Sequence, residues 1–279
     1  MDQRSMLGRF CTSERSRANL GCLLASVAFL VLAYDRVHCQ EDSSPHPWMS
    51  DAPGEFVRLI DKGNVSIQVD DELVRKSGKS AITIFRFALD FDYKFRSQWV
   101  ESGARSGVWK AKITSWIDQP KVRPEHTICI PSKFNPKSPW QSALMKHEFD
   151  HVAISTDPRL IKIIQKVLER RKTWVEEFEQ ATMPRESEIR QRIEVEVGRT
   201  VKICETMIQA QYDELDKKST DGMSSIENRQ EFFLGMFSVQ GLERCKFAFL
   251  ADMRAFVSDR LSNDSTAKEV EEHYLYLSR

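Results

Sequence analysis

His147-Glu148-Phe149-Asp150-His151 constrains this chain more than any other segment. Residues four apart lie on one face of an α-helix, so a helix here would let both imidazoles reach a single cation. Glu148 projects toward the substrate side of the same site. This is the H-E-x-x-H spacing in which two histidines bind Zn²⁺ and the glutamate acts as general base. The competing reading is a solvated helix whose polar residues fall this way by chance. The flanks argue against it: Leu144, Met145, Val152 and Ile154 are apolar, so the helix is expected to pack and the site to be partly buried. Ser138-Pro139 reads as an N-cap followed by proline at the first helical position.

The N-terminus has to be set aside before the fold is read. Arg4, Arg9, Arg15 and Arg17 precede an apolar run from Leu20 to Tyr34, a basic region and hydrophobic stretch of signal-peptide length. Residues 1–39 are therefore expected to be a signal peptide or an uncleaved signal anchor, and the protein secreted or periplasmic. A membrane is expected as partner only through such an anchor. Residues 40–54, rich in Ser, Pro and Asp, read as a linker, and 55–279 as one domain.

Charge excludes one class of partner. Beyond the expected signal the chain has 36 Lys+Arg against 38 Asp+Glu and no basic stretch, so nucleic acid is not expected. Cys129, Cys204 and Cys245 lie beyond the signal, none at metal-binding C-x-x-C spacing. One disulfide plus one buried thiol is the ordinary reading of three.

Residues 55–134 read as β-rich. Val65–Val69 alternates with period two, Ala81–Phe85 is β-branched, and Thr127–Ile130 stops at Pro131. Beyond residue 135 long helices are expected. Asp157-Pro158 opens one carrying Leu160, Ile163, Ile164, Val167, Leu168, Trp174, Val175 and Phe178. Pro184 opens another, with a stripe from Ile189 to Leu215, broken at Ser219-Thr220-Asp221-Gly222. A further helical stretch covers Arg229 to Leu261. The fold class is α+β: a small N-terminal antiparallel sheet followed by a helical region that carries the H-E-x-x-H helix.

Two histidines do not complete a catalytic zinc site, which needs a third protein ligand and an open position. Asp157, six residues past His151, stands at one template position but makes a good N-cap for the helix after it. Glu194, Glu196 and Glu205 offer carboxylates on a following helix. The end of that helix supplies Tyr212, a candidate oxyanion donor, and Asp213 and Asp221 as candidate ligands. His126, in a strand, could orient a ligand or simply pack.

These features resemble a family of predicted secreted bacterial zinc peptidases, domain-of-unknown-function family 922. The resemblance covers roughly residues 60 to 235. It rests on the export signal, the strand ending Ile128-Cys129-Ile130-Pro131, the H-E-x-x-H helix and Tyr212-Asp213. The family's downstream element is Tyr-Asp, a spacer, then Thr-x-His-Gly; here Asp221-Gly222 stands in place of His-Gly. The resemblance implies Asp221 as third ligand, His147 and His151 as the other two, and Glu148 as base. The expectation is an exported zinc-dependent peptidase acting on a peptide or protein. The alternative is an exported helical interaction protein whose metal site is vestigial or structural.

Overall fold

The computed structural model describes residues 11–12, 16–19, 48, 51–103, 108–134, 137–179, 183–261 and 264–275. The apolar run of the expected signal and most of the expected linker lie outside them. Two short strands, β1 (Cys11–Thr12) and β2 (Ser16–Asn19), come from the N-terminal segment. Then follow α1 (Gly54–Gly63), β3 (Val65–Val69), α2 (Asp71–Ser77), β4 (Ile82–Gly103) and β5 (Val108–Ile130). Helices α3 (Ala143–Ser155) and α4 (Pro158–Glu169) precede strand β6 (Lys172–Glu179) and the long helix α5 (Glu186–Ser219). Helices α6 (Arg229–Met236), α7 (Val239–Arg244), α8 (Leu250–Asp259) and α9 (Asp264–His273) complete the described chain. Among the described residues no helix is long and apolar enough to cross a membrane.

The fold is α+β, as the patterning indicates, but its sheet differs from the expected one. It is mixed and lies mid-chain: β3 runs parallel to β5, while β6 runs antiparallel to it. β1 and β2 pair antiparallel with β4. The region 55–134 also contains α1 and α2. The largest departure is β6, which the sequence pattern places in the continuation of α4. Trp174 and Phe178 are four apart, a spacing that fits one face of a helix and one face of a strand equally. Pairing decides, with Trp174 opposite Ile113 and Phe178 opposite Trp109 on β5.

Contacts divide the chain into two compact units. One comprises residues 1–21, 89–121 and 164–201; the other comprises 22–88, 122–163 and 202–279. The first has a core built from Phe91, Phe95, Ile113, Phe178, Ile193 and Val197. In the second, α3 is almost wholly buried, which is why its sequence has so little amphipathic character. Phe149 on its inner side meets Phe56 of α1 at 5.0 Å between ring centres and Trp140 at 5.6 Å. Ser138-Pro139 does not start α3. Pro139–Gln141 forms a separate 3₁₀ turn, and Ser142 caps the helix by accepting from the Met145 N–H at 3.2 Å. No disulfide joins Cys129, Cys204 and Cys245, so the expected pairing among them is not formed.

His126 belongs to this packing. Its Nδ1–H donates to the Gly63 carbonyl oxygen at 2.7 Å, which leaves Nε2 to accept from the Ser155 hydroxyl. A Cβ on Gly63 would come within 2.9 Å of that ring, so glycine is required for the approach. Burial pushes His126 down to about 4, well below the ordinary 6.5. The unfolded chain therefore binds a proton between those values that the folded chain refuses, and stability is lost as pH falls through this window. Between pH 7 and pH 5 the loss from this group is about 2 kcal/mol. Urea denaturation at the two pH values should show it, and His126→Gln should reduce it.

Candidate metal centre

All residues of the candidate site belong to the second unit. His147 and His151 sit one turn apart on α3, with ring centres 4.7 Å apart. Facing them is a stripe of α5 formed by Tyr212, Asp216 and Ser219, spaced four and three residues apart and so on one helix face. The two stripes match in antiparallel order. Ser219 meets His147, Asp216 meets both imidazoles, and the Tyr212 ring lies 4.4 Å from that of His151.

The third position is therefore Asp216. Its Oδ1 lies 3.1 Å from His147 Nε2 and 3.0 Å from His151 Nε2. The three residues form the one potential metal-binding group among the described residues, with ligand atoms within 4.8 Å of one another. Asp216 Oδ1 is buried and enters no hydrogen bond of acceptable direction. Two imidazole nitrogens that converge on one buried carboxylate oxygen form a group that could hold a cation. Tetrahedral coordination with bonds of about 2.0–2.1 Å sets ligand atoms about 3.3 Å apart, close to the two nitrogen-to-oxygen separations seen here. The donor set of two nitrogens and one oxygen suits zinc and leaves a fourth position open.

The surrounding charges favour an ionised carboxylate. Burial alone would raise the Asp216 carboxyl, but His147, His151 and Lys79 outweigh it and hold it far below the usual carboxylate range. Lys79 contacts Oδ2, which leaves Oδ1 for the imidazoles. Burial likewise acts to lower His147, and Asp216, Glu148 and Asp150 together raise it.

Glu148 points into the same cavity, of about 120 Å³, which Lys79, Thr83, Tyr212 and Asp221 also line. The Thr83 hydroxyl donates to Glu148 Oε2 at 2.7 Å, leaving Oε1 as the second acceptor. Tyr212 is buried at the cavity wall. Burial raises its phenol well above the ordinary value, so it stays a neutral donor, with Ser155 beside its hydroxyl.

No family model, curated protein or solved structure matches this chain. The site consequently stands on its own geometry.

Several candidates fall elsewhere. Asp221 is outside the metal group: its side chain is 54% exposed, and Oδ1 lies 3.7 Å from Lys79 Nζ at the cavity wall. Asp213 is exposed and accepts from Gln209 at 2.9 Å. Asp157 is a fully buried cap that accepts from the Arg159 N–H at 2.7 Å, pairs with that guanidinium and accepts from Tyr274. Glu194 and Glu196 belong to the other unit, and Glu205 pairs with Lys202 on its own helix. Asp216, Thr83, Lys79 and Ser219 were not picked out by sequence reasoning. The signal for Asp216 was present in the shared helix face of Tyr212, Asp216 and Ser219.

The turn after α5 closes over the site. Thr220, Asp221 and Gly222 all have positive φ, at 51°, 51° and 79°. A Cβ on Gly222 would stand 2.7 Å from His147 Cβ and 2.8 Å from its Cγ, so only glycine lets the turn rest on that imidazole. Gly222→Ala should cost about 1–3 kcal/mol in denaturant titrations through strain at this backbone position. It should also weaken metal binding, because His147 must move.

Proposed function

We propose that the protein is an exported zinc-dependent peptidase. The observation that carries the reading is the convergence of His147 Nε2, His151 Nε2 and Asp216 Oδ1 beside Glu148, in a cavity with room for a reacting group. A divalent ion held by these three atoms would acidify a water and polarise a carbonyl oxygen.

The chain's own residues would do the rest. Glu148 Oε1 accepts a proton from the attacking water and returns it to the leaving amine, so that one carboxylate serves both halves of the hydrolysis. Thr83 restrains Glu148 through Oε2 and keeps the accepting oxygen in place. Tyr212 supplies a neutral hydroxyl toward the developing oxyanion. Lys79 holds Asp216 by Oδ2, the oxygen turned away from the two imidazoles. Export rests on the basic and apolar N-terminal segment.

Metal analysis of the purified protein tests this reading. One zinc per chain is expected, removable by a chelator, with peptide hydrolysis lost on removal and restored by zinc. A metal-free protein of unchanged stability and no hydrolysis would favour the interaction protein instead.

A further inference from the structure

Three polar groups besides the imidazole meet at the Ser219 hydroxyl, and they decide which nitrogen of His147 carries a proton. We infer that Ser219 is a positioning residue of the metal centre: it fixes His147 as the Nδ1–H tautomer and thereby keeps Nε2 bare for a cation. The inference rests on the metal reading above.

Ser219 is the last residue of α5, and its Oγ lies 2.9 Å from the Leu215 carbonyl oxygen and 3.4 Å from that of Asp216. A carbonyl only accepts, and that of Leu215 is nearer to the hydroxyl than His147 Nδ1 is, 2.9 Å against 3.3 Å, so the hydroxyl proton is directed to it. The Gly222 N–H donates to the same Oγ at 3.0 Å. With its proton committed, the hydroxyl offers His147 Nδ1, 3.3 Å away, only a lone pair. Nδ1 must then be the donor. A neutral imidazole carries one proton, so Nε2 is left without one, and Nε2 is the atom facing Asp216 Oδ1. Ser219 and His147 are both about 95% buried, so bulk water does not compete for either.

The two histidines differ in this respect. His151 Nδ1 is buried with no hydrogen-bond partner. Among the described residues, Ser219 is thus the side chain that orients one of the two imidazoles from behind, the role that a carboxylate or carbonyl fills in other metal sites. The same turn that supplies the Gly222 N–H also presses on the His147 ring, so bond and contact act together.

The full chain can be tested in two ways. The first needs no variant: side-chain ¹⁵N NMR of the metal-free protein, recorded above the pH at which His147 loses its second proton. The expected result is His147 as Nδ1–H. The second compares zinc affinity, by competition with a chromophoric chelator, for wild type and Ser219→Ala. A 10- to 100-fold weakening is expected, with His147 shifting to a mixture of tautomers and the thermal transition little changed. Wild-type His147 found as Nε2–H overturns the inference, as does equal zinc affinity in Ser219→Ala, and either result leaves the metal reading standing. A wild type that ignores zinc while His147 is Nδ1–H removes the metal reading and retains the tautomer assignment.

Discussion

Asp216→Ala should abolish stoichiometric zinc binding, whereas Asp221→Ala should leave it intact. The contrast follows from where the two carboxylates lie. Asp216 Oδ1 is within 3.1 Å of both imidazole nitrogens, and Asp221 reaches only Lys79. Two histidines alone leave a zinc ion with half of its tetrahedral shell from protein, below the three ligands that catalytic sites use. Loss of a direct ligand should exceed the 10- to 100-fold effect of losing a supporting hydrogen bond, so a drop of more than about 100-fold is expected. Isothermal titration with zinc reads both variants. If Asp221→Ala were the one to lose metal, the ligand set drawn from the fold would be wrong. Asp216→Ala also leaves Lys79 without the partner that it contacts most closely, so a modest loss of stability should accompany the change.

The pattern of what could be read in advance has a physical origin. His147, Glu148 and His151 are legible because their relation is local: helical geometry alone brings positions i and i+4 together. Asp216 lies 65 residues beyond His151, and its approach depends on how two helices face each other, which no spacing rule encodes. Motif reasoning favoured Asp221 because it stands where a short pattern ends, yet the chain has turned by then and Asp221 sits at positive φ. A search for polar residues sharing one face of α5 leads instead to Tyr212, Asp216 and Ser219. Strand β6 was hidden for a related reason, since Trp174 and Phe178 satisfy two periodicities and only pairing with β5 separates them. The strands Val65–Val69 and Thr127–Ile130, with period-two alternation and a proline stop, were legible outright.

Glu148→Gln is the sharpest test of chemistry as opposed to metal binding. The amide is nearly the same size as the carboxylate and can still accept from Thr83 through its oxygen, so the packing of α3 should survive. The three proposed ligand atoms are untouched, so zinc should bind with wild-type stoichiometry. What the amide lacks is the ability to take a proton from water, and general-base catalysis of this kind contributes about 10²- to 10⁴-fold. The turnover number should fall by that factor while KM changes little, since binding of the substrate does not require the proton to move. Thr83→Val offers a graded counterpart: Glu148 keeps its charge but loses the 2.7 Å bond that restrains Oε2, and a smaller fall in turnover is expected. Full activity in Glu148→Gln would mean that another group accepts the proton. None of the other carboxylates lining the cavity fits that role, because Asp216 faces the two imidazoles and Asp221 is mostly exposed. Such a result would therefore count against hydrolysis at this centre altogether.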